Sequence, residues 1–542
     1  MTNLSISGQI VDLFAKRIFP GEITLADGRI ASISEKEKAP DQYILPGFID
    51  AHIHIESSML IPSEFARIAV LHGTVGTISD PHEIANVAGM EGIRFMLENG
   101  SKVPFHFHFG APSCVPATSF ETAGASITAD DIHTLFEKDR LKYLSEMMNF
   151  PGVLHQDPEV MQKIAVAQSF GFPIDGHSPG LKKDQAKAYI NAGISTDHEC
   201  FTLEEALGKI LYGMKILIRE GSAAKNFQAL HPLIKSHPDR IMFCSDDKHP
   251  DELIEGHINL IVKRSIELGY DLMDVLRAAC IHPVEHYRMN VGLLRLNDSA
   301  DFIVLEDLET FNVKSTFIQG IQVASEGKSL IDSVAVSPIN RFACSLKKEN
   351  AFKIAAKGEN IHVIQAVQGE LVTGKLILPA CIEKGEYISD VDKDVLKLVV
   401  VNRYQDAPPA IAFVQGLGLK SGALASSIAH DSHNIVAVGV DDQSLCRAIN
   451  AVIESKGGVA AANDQIECVP LPVAGLMSDK DGWQVAADYA RIKKLSHSLG
   501  SKLHDPLMTL SFLALLVIPS LKLSDLGLFD AETFQFIPLE AS

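Results

Sequence analysis

Short apolar runs alternate with helical stretches about eight times between residues 46 and 285, and this alternation constrains the fold most strongly. Helices are predicted after most runs, for example over Glu83–Asn99 and Thr202–Leu211. The predicted strands lie near Ile49–Ile55, Gly76–Asp80, Val103–Phe109, Tyr143–Met147, Phe172–Asp175, Gly193–Asp197, Lys215–Ile218 and Ile241–Ser245. Eight such units across about 240 residues predict a parallel TIM (β/α)8 barrel. An open parallel sheet is the alternative.

Both flanks of this segment have β character. Residues 1–45 alternate polar and apolar, and Asp27-Gly28 is a dipeptide favoured in tight hairpin turns. Asp301–Leu305 and Ser315–Ile318 read as further strands. Because the first small sheet has too few strands to stand alone, we expect residues 286–335 to complete it. Residues 340–542 mix strands and helices and predict a separate α+β unit.

Two histidines, His52 and His54, lie at the end of the first predicted barrel strand. Residues i and i+2 of a strand point to the same side, so the two imidazoles converge. Active sites of TIM barrels form at the carboxyl ends of the strands, and neutral imidazole binds Zn, Fe, Mn or Ni well. The pair alone is a weak signal for a metal site.

Other strand ends carry metal-ligand residue types at the same predicted rim. Any one of them could equally be a buried structural histidine or a helix-capping aspartate. Agreement across five strand ends predicts a two-metal site with an open position for water. The residues are Glu146 after strand 4, His177 after strand 5, His198 and Glu199 after strand 6, and Asp246 after strand 8.

These motifs resemble the amidohydrolase superfamily, and longer stretches are similar to its bacterial adenine deaminase family. The superfamily resemblance lies in Gly47–His54, His177–Gly180, Asp197–Glu199 and Ser245–Asp247. The family resemblance lies in Ile78–Val87, Glu146–Val153, Arg219–Ala224 and His430–Asn434, and it covers almost the whole chain. It implies an α/β fold: a TIM barrel over 46–285, a split β-sandwich from 1–45 and 286–335, and an added C-terminal α+β domain over 340–542.

The resemblance implies metal-dependent hydrolysis of adenine to hypoxanthine and ammonia, a step of purine salvage. Two divalent ions are implied, Mn²⁺ first, with Fe²⁺ or Zn²⁺ as alternatives. By position, His52 and His54 would hold one ion with Asp246, and His177 and His198 would hold the other. Many amidohydrolases bridge their ions with a carboxylated lysine on strand 4. Here Glu146 stands at that place, and Lys142 lies at the wrong end of the strand.

The same resemblance assigns candidate roles in catalysis and substrate binding. Asp246 would accept the proton of the attacking water and pass it to the departing amine. Either Glu199 or Glu83 would protonate the purine ring, although each could be a purely structural carboxylate. Asp80–Glu83 also fits a helix start or an accessory metal site. Arg219, Glu220 and Ser222 after strand 7 are candidate substrate contacts, and a simple turn is the alternative for this loop. His433 is a further candidate, in a loop expected to reach over the barrel mouth, and a separate metal site is the alternative there.

Charge and composition narrow the partners. The chain has 48 Lys and Arg against 68 Asp and Glu, a net charge of −20, which argues against nucleic acid and anionic membranes as partners. The apolar run Leu510–Leu521 is too short to span a membrane, and no signal peptide is evident. Eight dispersed cysteines without a CxxC pair predict a reducing cytoplasm. We therefore expect a cytoplasmic enzyme, a homodimer by family resemblance, acting on a small purine. Cyclic-amide or N-acetyl hydrolysis and non-catalytic purine or metal binding are the alternatives.

Overall fold

The computed structural model describes residues 4–541, which divide into two compact units. The first contains the chain up to Pro81, Arg94–Cys114 and Thr128–Ala335. The second contains His82–Ile93, Val115–Ile127 and the chain from Val336 onward. The sequence analysis treated residues 46–285 as continuous, whereas two segments inside that range pack with the C-terminal part of the chain.

Parallel strands of the first unit occupy the predicted positions. Apart from His106–Phe109, which is only partly buried, they are almost entirely buried, as is typical of parallel strands covered on both faces. Ala111 N donates to Tyr143 O at 3.0 Å and Ser195 N to Ile174 O at 2.9 Å, which links successive groups of strands. The last short strand, Asp246–Asp247, pairs with Ile53 and His54 of the first. The strands are Phe48–His54, Thr74–Ser79, His106–Phe109, Leu144–Met147, Ile174–Gly176, Thr196–Asp197, Lys215–Arg219, Ile241–Cys244 and Asp246–Asp247.

Helices connect these strands, and their ends follow local capping chemistry. The helix Pro158–Phe170 begins where Asp157 accepts from Glu159 N and Val160 N, and it ends at Gly171 with φ +67°. The predicted helix Glu83–Asn99 is two helices, His82–Ala88 and Met90–Gly100, because Gly89 between them has φ +61°. The others are Pro62–Ala69, Ala129–Glu137, Phe150–Leu154, Lys183–Asn191, Leu203–Leu211, Phe227–Leu230, Leu233–Ser236, Pro250–Glu255, Ile258–Glu267 and Leu272–Tyr287.

The strands from both flanks form one sheet, as predicted from the small number of strands in the N-terminal segment. Tyr43–Pro46 pairs with Leu4–Asp12 on one side and with Phe302–Leu305 on the other. The eight strands of the predicted split β-sandwich form one continuous hydrogen-bonded sheet. Apolar side chains from both flanks, such as Ile23 and Phe317, share one hydrophobic cluster, so the two flanks form a common core. Its remaining strands are Arg17–Ala26, Arg29–Glu35, Val313–Ile318, Ile321–Ser325 and Lys328–Ser329.

The second unit is built on another eight-stranded sheet. In spatial order its strands are Gly374–Pro379, Asn360–Gln365, Ala410–Gln415, Val395–Val401, Ile435–Gly439, Ala423–Ser426, Gly458–Ala462 and Ile466–Pro470. The helix Asp442–Glu454 packs its apolar face, including Leu445 and Val452, into a core with this sheet. Further elements are helices Gly482–Ser498 and Pro506–Phe512 and strands Cys381–Glu383, Glu386–Ile388, Leu521–Ser524, Gly527–Asp530 and Gln535–Phe536.

Short 3₁₀ turns complete the described elements at Ile55–Ser58, Val70–His72, Pro238–Arg240 and Glu349–Phe352. Within residues 4–541, none of the helices combines the length and the apolar character needed to span a membrane.

Candidate metal centre

The residues predicted to bind metal lie together in the first unit, around Glu146. One oxygen of Glu146, Oε1, lies 3.3 Å from His54 Nε2. The other, Oε2, lies 2.9 Å from His177 Nδ1 and 3.2 Å from His198 Nε2. The carboxylate therefore faces two different groups of histidines, one with each oxygen.

Asp246 completes the group that contains the HxH pair. Its Oδ1 lies 3.2 Å from His54 Nε2 and 3.7 Å from His52 Nε2. The parallel pairing of Asp246 with Ile53 fixes this neighbourhood, since His52 and His54 flank Ile53 and project to the same side of the strand. Asp246 has φ +57°, a conformation uncommon outside glycine and typical of functional sites.

The donor set fits divalent metal ions. His52 is 1% exposed, and its Nε2 has no hydrogen-bond partner among the described residues. His54 Nδ1 lies 3.2 Å from the Asp80 carbonyl oxygen; a proton on Nδ1 leaves Nε2 free of hydrogen and able to coordinate. Donor atoms of His52, His54 and Asp246, and those of His52, Glu146 and His198, lie within 4.8 Å of one another. Imidazole and carboxylate donors suit Zn, Fe and Mn.

Electrostatics around Glu146 favours its ionised form. Burial raises the pKa of Glu146, but the charge of His177 and hydrogen bonds from His177, His198 and His54 hold that pKa well below its usual value. Burial lowers the pKa of His177, and the neighbouring Glu199 and Glu146 outweigh this and raise it to about 9. Protons on these histidines therefore compete with metal ions for the same nitrogen atoms.

Arg219 joins the two carboxylates predicted to act in catalysis. Its side chain is 1% exposed, and Nη1 donates to Glu199 Oε1 and to Asp246 Oδ2. Nη2 donates to Glu199 Oε2 at 3.2 Å. Burial raises the pKa of Asp246, but the guanidinium charge and the His54 hydrogen bond hold it well below its usual value. The sequence analysis expected Arg219 to contact substrate; in the structure its guanidinium binds Glu199 and Asp246.

The other predicted substrate contacts after the strand Lys215–Arg219 bind side chains of the helices Pro250–Glu255 and Ile258–Glu267. Glu220 Oε2 lies 3.1 Å from Arg264 Nη1. Ser222 Oγ donates to Glu252 Oε2 at 2.9 Å and accepts from His249 N at 3.0 Å. Gly221 between them is closely approached, since a Cβ would lie 2.5 Å from Ser245 O. The loop is thereby held against the segment that carries Asp246.

Glu83 and His433, both predicted as active-site residues, lie together in the second unit. His433 Nε2 hydrogen-bonds to Glu83 Oε2, and His430 Nδ1 lies 2.7 Å from Glu83 Oε1. Asp431 N donates to Glu83 Oε2 at 3.3 Å, and His82 Nε2 lies 3.4 Å from Asp431 Oδ1. Asp431 and His433 have positive φ, +68° and +51°, which turns this short loop back on Glu83. Donor atoms of His82, Glu83 and Asp431 lie within 4.8 Å and could hold a metal ion.

Comparison with known proteins places both clusters in known families. Residues 43–323 match the amidohydrolase family and residues 370–535 match the adenine deaminase C-terminal domain. An adenine deaminase of Salinibacter ruber (strain DSM 13855 / M31) is 54% identical, covering 99% of this chain and 98% of the relative. Those of Methanosarcina mazei and Borreliella burgdorferi are 50% and 48% identical, covering 98% and 99% of this chain and 99% and 100% of the relatives. The chain belongs to the adenine deaminase family.

In this adenine deaminase family member, the amidohydrolase match spans all the residues gathered around Glu146 and Asp246. The C-terminal match spans the loop His430–His433. From the sequence, the loop His430–His433 is predicted to bind substrate rather than metal. His82 and Glu83 are there assigned to a different motif, with no predicted contact to this loop. Glu83 and His433 are 350 residues apart in sequence, and the hydrogen bond between them could not be predicted from either motif. The high density of His, Asp and Glu in both motifs is the sole sequence feature that points to it.

Proposed function

We propose that this chain hydrolyses adenine to hypoxanthine and ammonia at a centre of two divalent metal ions. Full-length similarity to adenine deaminases supports the substrate and the reaction. The observation that carries the two-metal centre is the position of Glu146, whose two oxygens face different histidines. Such a carboxylate can bridge two cations without the carbon dioxide that a carboxylated lysine needs.

The proposed ligands divide between two ions. His52, His54 and Asp246 would hold one ion, His177 and His198 the other, and Glu146 both. Mn²⁺ is the proposed metal, and the donor set also suits Fe²⁺ and Zn²⁺. When bound, such ions lower the pKa of water and so supply hydroxide near neutral pH.

Asp246 is the proposed proton carrier. Its carboxylate would take the proton of the attacking water and deliver it to the departing amine, a role worth typically about 10²–10⁴-fold in rate. Arg219 supports this role because its guanidinium keeps the carboxylate ionised and fixes its direction. The carboxylate is thus ionised at the start of the reaction, as a proton acceptor must be.

Glu199 and Glu83 are the two candidate donors to the ring nitrogen beside carbon 6. Each carboxylate must first take a proton, and each has a histidine near it. His177 Nδ1 lies 3.7 Å from Glu199, and His430 Nδ1 lies 2.7 Å from Glu83. Variants Glu199→Gln and Glu83→Gln separate them: loss of the true donor should lower kcat with adenine far more than loss of the other. Arg219, Glu220, Ser222 and His433 are the proposed substrate contacts.

We also propose a closed barrel, the domain boundaries, a cytoplasmic location and a homodimer for this chain. The return of Asp246–Asp247 to the first strand supports a closed TIM barrel over 46–285. The eight-stranded sheet supports one domain made from residues 1–45 and 286–335, with the C-terminal domain over 340–542. Free cysteines throughout the described chain support a reducing cytoplasm. A role in purine salvage and a homodimer follow from the family resemblance.

Ammonia release from adenine by the Mn²⁺-loaded protein tests the function. Adenosine, guanine and dihydroorotate serve as alternative substrates in parallel. Release from adenine well above that from the other three is the expected result. Hydrolysis of dihydroorotate opens its ring without releasing ammonia, so its turnover is followed by loss of the substrate on chromatography. Turnover of dihydroorotate in preference to adenine would indicate a cyclic-amide hydrolase, and no turnover of any of the four would contradict the proposal.

A further inference from the structure

Two buried aspartates stand next to the proposed metal ligands and are not themselves among those ligands. Asp50 precedes His52 by two residues, and Asp197 directly precedes His198. Both are 0% exposed. Each accepts a hydrogen bond from the backbone of a second segment that carries a proposed ligand. Each aspartate therefore connects its own ligand-bearing segment to one other.

Asp50 ties the HxH segment to the segment of Asp246. Its Oδ1 accepts from Ser245 N at 3.0 Å and from His52 N at 3.3 Å. Its Oδ2 accepts from Ser245 Oγ and from His257 Nε2, the latter at 2.8 Å. Ser245 directly precedes Asp246, so one carboxylate holds the backbone beside two ligands of the same proposed ion.

Asp197 does the same for the other histidine pair. Its Oδ1 accepts from Ser178 N at 2.9 Å, and Ser178 directly follows His177. Its Oδ2 accepts from Lys209 Nζ at 2.7 Å. Lys209 Nζ also donates to Ser178 O at 2.7 Å and to Glu205 Oε1 at 2.8 Å, so its three protons are all used.

Each aspartate is thus fixed by one side chain from a neighbouring helix. His257 stands at the start of the helix Ile258–Glu267, and its Nδ1 lies 2.7 Å from Thr74 Oγ1, which orients the ring. Lys209 lies in the helix Leu203–Leu211 and is 1% exposed. Neither residue contacts a proposed ligand side chain in the described hydrogen bonds and ion pairs.

Backbone pairing alone restrains these ligand segments weakly. Thr196–Asp197 and Asp246–Asp247 are strands of two residues, and Ile174–Gly176 has three. Few ladder hydrogen bonds therefore hold His177, His198 and Asp246 at the point where their side chains must converge. The side-chain bonds of Asp50 and Asp197 supply the restraint that longer strands would provide.

We propose that His257 and Lys209 are positioning residues that set the affinity of the centre for divalent cations by fixing Asp50 and Asp197. The inference rests on the proposed metal centre. Loss of residues that orient metal ligands from outside typically weakens metal binding about 10–100-fold. Removing His257 leaves a buried carboxylate short of one donor, and removing Lys209 leaves Asp197 and Glu205 without their cation, so the carboxylates must move to find other donors.

Titration of the full-length, metal-free protein with Co²⁺ tests the proposal, with visible absorption of bound Co²⁺ as the readout. His257→Leu removes the donor to Asp50, whereas His257→Gln keeps an N–H at similar reach. We expect Co²⁺ affinity about 10–100-fold weaker and an altered spectrum for His257→Leu, and near wild-type behaviour for His257→Gln. Lys209→Met should weaken binding in the same range.

A matched control is His106→Leu, because His106 forms another histidine–aspartate pair in the same unit. His106 Nε2 lies 3.1 Å from Asp301 Oδ1, and Asp301 accepts from Gly292 N and Gln319 N, far along the chain from any ligand segment. This variant should lose thermal stability and keep the wild-type affinity and spectrum. A spectrum changed as much as that of His257→Leu would show a general effect of destabilisation and overturn the inference.

Two further outcomes are decisive. If His257→Leu does not fold, Thr74→Val tests the same network more gently: it removes the partner of His257 Nδ1 at nearly constant volume and should also weaken Co²⁺ binding. Wild-type affinity and spectrum in Thr74→Val or in His257→Leu would overturn the positioning role. Failure of the wild-type protein itself to bind Co²⁺ would contradict the proposed metal centre instead.

Discussion

Replacing Glu146 by glutamine probes the two-metal centre most directly. The side chain keeps its shape, but the charge shared between His54 on one side and His177 and His198 on the other is lost. Two unit charges about 4 Å apart interact by about 4 kcal/mol at an effective dielectric constant of 20. Because about 1.4 kcal/mol corresponds to a factor of ten, each ion should bind roughly a thousandfold more weakly. Both ions should be affected together, since the lost charge lies between the two ligand groups.

Metal analysis of purified Glu146→Gln after gel filtration in metal-free buffer measures this effect, and ammonia release from adenine is followed in the same samples. Glu64→Gln is a matched control: Glu64 is 1% exposed in the same unit but bonds Arg67 and Ser333. We expect the control to keep two ions per chain and the Glu146 variant to lose both, with its activity.

Two tightly held ions per chain in Glu146→Gln would refute the bridging role and direct attention to Glu83 or Lys142. Glu146→Lys extends the test, because a lysine there could form a carbamate with bicarbonate. The carbamate arm is longer than a glutamate, and Glu146 is 3% exposed, with both oxygens already at contact distance from histidine nitrogens. We therefore expect no recovery of activity with bicarbonate.

Three other perturbations have defined outcomes. Asp246→Asn should keep the fold and much of the metal but lose about 10²–10⁴-fold in kcat, and near wild-type turnover would assign proton transfer to another group. Chelators should abolish activity without cooperative loss of the helical circular dichroism signal, because hydrophobic clusters in both units contain none of the proposed ligands; such a loss would show a structural metal. Burial lowers the pKa of His108 to about 4 in the folded protein. Between about pH 4 and 6.5 the unfolded chain therefore binds more protons at this residue than the folded chain does. Acid should reduce the free energy of unfolding by up to about 3 kcal/mol through this residue. Denaturant unfolding of His108→Gln should show a correspondingly smaller loss on going from pH 7 to pH 4.5, and an unchanged pH dependence would contradict the assignment.

Local sequence patterns were sufficient to predict the strands and which candidate ligands lie close together. The HxH spacing predicts two side chains on one side of a strand because successive side chains of any strand alternate between its two faces. Strand ends such as Glu146 and Asp246 could be recognised for the same reason: each follows a short apolar run, and parallel strands bring their carboxyl ends to one edge. Similarity to a family added the substrate, which no periodicity encodes.

Tertiary structure decided the partners of these residues. Arg219 is a candidate substrate contact by its position at the end of a strand, and packing decides that its guanidinium also binds Glu199 and Asp246. His257 lies 207 residues from Asp50, and its hydrogen bond exists only because a helix is laid against the first parallel strand. A buried carboxylate needs donors, but the sequence does not say which part of the chain provides them.

The same distinction separates the two units. Residues 82–93 and 115–127 read as ordinary connections between strands, and the glycine at 89 was the sole local sign that the helix there is interrupted. Their assignment to the second unit, and with it the meeting of Glu83 with His430 and His433, depends on which surfaces bury each other. Propensity and periodicity act over a few residues and so determine the elements of this protein, whereas burial and charge pairing act between elements distant in sequence and are decided when the chain packs.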